Sequence, residues 1–245
     1  MSGPAPRPRA ILAQVRTESR LTARRGENLL AMIGVPIAVL LFLGTFGSAR
    51  GTPGVALPGI LSIAILASGL VNLGIATAYE RGYGVLKRLG GSPLGRDGLV
   101  AAKLVVVVAI ALAQVVGLLV VASLVLGWRA DAGASVVAVL VATVLGAVTF
   151  AGLGLAIAGT VRPEAALVLA NVLFLLALGL GGALVPIADL PASIATVVRL
   201  LPPGALADAF AAALGDGSSA IPPLAILAAW AVAAGVVAIR TFRWD

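Results

Sequence analysis

With no histidine and no cysteine among its 245 residues, this chain leaves chemistry to carboxylates, hydroxyls and amides. That excludes imidazole acid–base catalysis, thiol and disulfide chemistry, and the usual zinc sites. The acids total only 10, and they form no DxxD or HExxH pattern of the kind that membrane-embedded metal-dependent enzymes use. Lys87 is followed by Arg88 and Lys103 by Leu104, so no Lys-Ser or Lys-Thr of a phosphate-binding loop is present. The expectation is a protein that is no enzyme and binds no cofactor or metal itself.

The composition says where such a chain resides. It is 60% hydrophobic and 11% charged, with a mean hydropathy of +1.12, which implies an integral membrane protein. The net charge of +7 comes from basic residues that flank apolar runs, and aromatics make up only 4%. Membrane lipid headgroups, not nucleic acid, are therefore the expected partners of that charge.

Six apolar runs are long enough to cross about 30 Å of hydrocarbon as helices. They lie at Leu29 to Gly47, Val55 to Ala78, Leu104 to Leu126, Ser135 to Ala158, Ala165 to Val185 and Pro222 to Ile239. In the last, Pro222 and Pro223 fit only the first turn. With both termini in the cytoplasm, every Lys and Arg falls inside except Arg50, Arg129 and Arg199. This bias predicts the orientation and a place in the cytoplasmic membrane.

On this placement every acid, from Glu18 to Asp245, lies in a tail, a loop or a span end. The interior then offers no group to bind protons or sodium for a gradient-driven pump. Its polar residues, Asn72, Gln114, Thr143, Thr149 and Asn171, suit hydrogen bonds between helices. Such a protein should take its energy from a partner.

Two segments at the cytoplasmic side deserve that partner's surface or the lipid's. In residues 1–28, Arg9, Arg16, Arg20 and Arg24 span an arc of about 80° on a helical wheel, opposite Ile11, Leu12 and Val15, with Glu18 near the apolar side. This predicts an amphipathic helix on the inner membrane surface. In residues 79–103, Gly82, Val85, Leu86 and Leu89 form an apolar stripe, with Lys87 and Arg88 off it and Gly90-Gly91 ending the helix. Ser92-Pro93 then restarts helix through Arg96 and Lys103 into the third span. At the opposite side, residues 187–221 read as two short helices dipping into the outer leaflet, broken at Pro202-Pro203.

The run "YERGYGVLKRLGGSPLGRDGLVAAK" between the second and third spans resembles the E-R-x-x-G-(T/V)-L-x-x-L-x-(A/G)-(S/T)-P-L stretch of ABC-2 type transporter permeases. A second match follows in order: Gly181, Gly182, Pro186, Leu190, Pro191, Pro202, Asp208 and Ala209. The similarity covers nearly the whole chain. It implies an all-α integral membrane protein forming one ABC-2 type transmembrane domain over 1–245. This would have six transmembrane helices, an N-terminal amphipathic interfacial helix, and short re-entrant helices between the fifth and sixth spans. It further implies a half-transporter: two permease chains, identical or different, with two copies of a cytoplasmic ABC ATPase that binds ATP and Mg.

By the same resemblance Glu80, Arg81, Gly82, Tyr83, Val85, Leu86, Lys87, Arg88 and Leu89 would carry the ATPase-coupling helix. Leu86 and Leu89 would sit in a groove of the ATPase. The substrate path would run between protomers along the first, second and fifth spans, with Asn72 and Asn171 lining it. The implied cargo is an amphipathic small molecule or lipid-like compound moved outward. Lipid-linked or polysaccharide cargo, and a non-transporting membrane scaffold subunit, remain the alternatives.

Overall fold

The computed structural model of the chain describes residues 7–24, 26–46, 53–90 and 94–241. Among these, every regular element is helical. α1 (Arg7–Arg24) leads into α2 (Gly26–Phe46). The second span is composite: α3 (Pro53–Leu66), a π-helical segment Ala67–Leu73, and α4 (Gly74–Gly82). A short α5 (Val85–Gly90) precedes α6 (Gly95–Val125), α7 (Val136–Thr160) and α8 (Pro163–Leu180). A 3-10 turn, Ile187–Asp189, then opens the segment holding α9 (Ala192–Leu200) and α10 (Pro202–Leu214), and α11 (Ile221–Thr241) closes the fold.

Among the described residues five helices are long and apolar enough to cross a membrane, and six if the pair α9 and α10, bent by 90°, counts as one. The first predicted span falls on α2, whose apolar part Leu30–Phe46 is shorter, and its predicted end Gly47 lies outside the described residues. Gly91 and the restart at Ser92-Pro93 lie outside them too. Pro222 and Pro223 occupy the first turn of α11, where a missing N–H costs no helical bond.

Small residues bring the spans together. Gly154 of α7 crosses the second span so closely that a Cβ there would stand 2.6 Å from the carbonyl oxygen of Gly69. Glycine at this crossing lets backbones touch in place of side chains. The main core gathers Leu57, Leu61 and Ile65 of α3, Leu118 of α6, Phe150 of α7, and Leu206 and Phe210 of α10.

α10 is thus an interior element. Its last carbonyls are satisfied from the connection between α6 and α7: Asp131 N–H donates to Leu214 at 3.4 Å and Ser135 N–H to Ala213 at 2.8 Å. The bend before it is tied down twice, by Ser62 Oγ donating to Pro203 O at 2.8 Å and Trp230 Nε1 donating to Leu200 O at 2.9 Å.

Candidate functional site

The second span forms the long wall of a cavity of 790 Å³. α2 supplies Met32, Val35 and Pro36 to it, and α8 supplies Phe174 and Leu178. The second span contributes side chains from Ile60 down to Asn72, Tyr79, Glu80 and Tyr83, so the lining is apolar for most of its length and polar at one end. A side pocket of 70 Å³ lies between α1, the second span and α6, and shares Met32, Asn72, Ala76 and Glu80 with the large one.

What holds α2 against this wall begins with a proline. Pro36 lacks the N–H that would bond the carbonyl four residues earlier, so Met32 O is left without a helical donor. Gln114 of α6 supplies one, its Nε2 donating to Met32 O at 2.8 Å. The other end of that amide accepts from Ser68 Oγ at 2.8 Å, in the π-helical segment. Asn72 completes the junction by pointing its amide at the Met32 sulfur. Thr149 reaches α11 through Leu227 O at 3.4 Å, while Thr143 bonds back to its own helix at Val139 O.

At the polar end of the cavity the span ends meet α1 around buried charge, which the reading of Lys103 as a topology signal alone did not foresee. Lys103 of α6 is 2% exposed, and its Nζ sits 2.8 Å from Glu80 Oε2 and 3.1 Å from Glu18 Oε1. Gln14 Nε2 donates to the same Glu18 oxygen at 2.9 Å. Burying an ammonium is tolerable when charged oxygens replace its water, and here two carboxylates do so. The outcome for α1 differs from the wheel. Its inward face is Ile11, Gln14, Val15 and Glu18, whereas Leu12 is 51% exposed along with the arginines. Glu18 turns the helix toward Lys103, and the sign of this in sequence was an acid out of place beside the apolar side.

The apolar stripe across α4 and α5 does not exist as one face. Gly84 adopts φ +72°, a left-handed turn suited to glycine, and it separates Gly82 from the helix that carries Val85 and Leu86. Val85 is left exposed, while Leu86 is fully buried against Leu94, Leu99 and Val100, Leu155 and Ala238. Leu86 is therefore the anchor of α5 inside the fold and is not free to enter a groove elsewhere. Arg81 also turns inward, donating from its guanidinium to the Val161 carbonyl at the end of α7, where the helix dipole favours a cation. Lys87 and Arg88 remain outward, Tyr83 and Val85 are exposed while lining the large cavity, and the side chain of Leu89 lies outside the described residues.

The sequence profile of the ABC-2 type transporters matches residues 9–214. The chain belongs to the ABC-2 type transporter family. It is the membrane-spanning permease component of an ABC transporter and a multi-pass membrane protein. A search of curated proteins found no match to it.

In this permease the two asparagines carried over from the family part company. Asn72 stands on the cavity wall. Asn171 is exposed on α8, away from the cavity lining, and its Nδ2 donates to Leu167 O of its own helix at 2.8 Å. The second sequence match forms the cap over α10: Gly182 faces the backbone at Gly59, and Asp208 pairs with Arg199 at 3.4 Å. The Lys103 centre is what sequence reasoning missed in the permease, because that lysine was fully accounted for by topology.

Proposed function

We propose that the permease is one half of the membrane part of an ATP-driven exporter for amphipathic or lipid-like compounds. The observation that carries this reading is the apolar cavity between α2, the second span and α8, large enough for a small molecule and lined at one end by polar groups. These are the first, second and fifth spans of the chain. A second permease, identical or different, completes the route along the exposed side of α8, where Leu175 and Leu176 are uncovered.

Energy comes from two copies of a separate cytoplasmic ABC ATPase, which carry the ATP and Mg. The segment from Glu80 to Leu89 couples to it. Within that segment Lys87 and Arg88 make the contact and Leu86 holds the helix in place, an assignment supported by their opposite exposures. Both termini face the cytoplasm, with the arginines of α1 among lipid headgroups.

The deciding experiment reconstitutes the permease with its ATPase in vesicles and follows export of a fluorescent amphiphile. Export should continue with ion gradients collapsed and ATP supplied. Export that needs an ion gradient and ignores ATP overturns the reading.

A further inference from the structure

Among the described residues Glu80 is the only charged one that lines the large cavity, and it stands at the cavity's polar end. Among the described residues Glu80 and Glu18 share one ammonium, that of Lys103, which sets two carboxylates against a single cation. The nearest further cation on the same helix, Arg81, is turned away to the Val161 carbonyl. Of the two carboxylates Glu80 is the more open, at 22% exposure against 13% for Glu18. Beside it on the cavity wall are Tyr79 and Tyr83, with ring centroids 6.0 Å apart. The two amides nearest this wall are already engaged: that of Asn72 points at the Met32 sulfur and that of Gln114 bonds Met32 O.

We propose that this cavity binds an amphipathic cation, its apolar body along Val35, Phe174 and Leu178 and its positive head between Glu80 and the two tyrosines. The chemistry is the attraction of a weakly hydrated onium group to a partly desolvated carboxylate and to aromatic faces. An anionic amphiphile of equal size meets the same apolar wall but a repelling charge at its end. The proposal rests on the permease reading for the idea that the cavity holds cargo. Binding itself needs no ATPase.

The test uses a pair of ions alike in shape and opposite in charge, tetraphenylphosphonium and tetraphenylborate. Equilibrium binding is measured on the purified full-length permease in lipid nanodiscs, corrected for uptake by empty discs. The native permease should bind tetraphenylphosphonium about tenfold more tightly than tetraphenylborate, and Glu80→Gln should shrink that preference to about twofold or less. Equal affinities in the native protein, or a preference that survives Glu80→Gln, overturns the proposal. Should Glu80→Gln fail to fold, Tyr83→Ala decides. It alters a side chain that is 76% exposed, and it should weaken tetraphenylphosphonium several-fold more than tetraphenylborate; equal loss overturns the proposal. A charge preference lost in Glu80→Gln, together with no ATP-driven export of any compound, removes the exporter reading and keeps the cation site. Export of neutral amphiphiles by a permease with no cation preference does the reverse.

Discussion

Gln114 of α6 donates to the one backbone carbonyl of α2, that of Met32, which Pro36 has deprived of its helical partner. A proline that would otherwise leave a polar group bare among apolar helices is thereby turned into a junction between two spans. Gln114→Leu should destabilise the permease by about 1–3 kcal/mol, the usual cost of leaving a buried acceptor unmade. Ser68 keeps a partner in that variant, since its hydroxyl also bonds Ala64 O at 2.9 Å. In a Pro36→Ala background the restored N–H serves Met32, and the cost of Gln114→Leu should fall to about 1 kcal/mol or less. Thermal unfolding in detergent reads both, and strict additivity refutes the relationship.

Lys103→Met removes the ammonium between Glu18 and Glu80 and leaves two carboxylates facing each other. The expected loss is about 3–5 kcal/mol. Most of it should return when Glu18→Gln and Glu80→Gln are added, because the stranded charges disappear. Unfolding midpoints of the single and triple variants check this.

For α5, buried and exposed positions should separate folding from docking. Leu86→Ala should cost about 3 kcal/mol of stability through the cavity it opens under α5. Lys87→Glu with Arg88→Glu should alter stability by no more than about 0.5 kcal/mol, both being exposed, yet reduce copurification of the ATPase. Unchanged copurification would move the docking surface elsewhere.

Ser218 lies in the exposed turn between α10 and α11, where its hydroxyl bonds Asp216 Oδ1 at 2.6 Å. A cysteine placed there should react with an impermeant thiol reagent in intact cells. Reaction only after permeabilisation would invert the proposed orientation.

Much of the fold could be read from apolar runs, because a helix crossing lipid must be apolar over a fixed length. The break at Pro202, the helix after it, and the prolines opening α11 follow from the missing proline N–H alone. The Lys103 centre was hidden for a different reason. Its partners come from residues 18 and 80, and each charge read singly has a sufficient explanation in headgroups. The stripe from Gly82 to Leu86 failed because a helical wheel presumes an unbroken helix, and Gly84 breaks it between those two residues. Asn171 was named with Asn72 as lining a path between protomers, and because α8 is apolar all round, periodicity gave no clue that Asn171 stands off this chain's own cavity while Asn72 lines it.

The π-helical segment Ala67–Leu73 has a consequence for the shape of the cavity wall. In an unbroken α-helix, advancing from Ile60 to Tyr83 would leave the second residue rotated about 140° from the first. A π-helix turns more slowly, at about 4.4 residues per turn, so seven residues wound this way give back about 125° of that rotation. Ile60, Ala67, Val71, Ile75, Tyr79 and Tyr83 therefore line one cavity. The irregular turn acts as a phase correction: it keeps the apolar end and the Glu80 end of the second span on a single straight track.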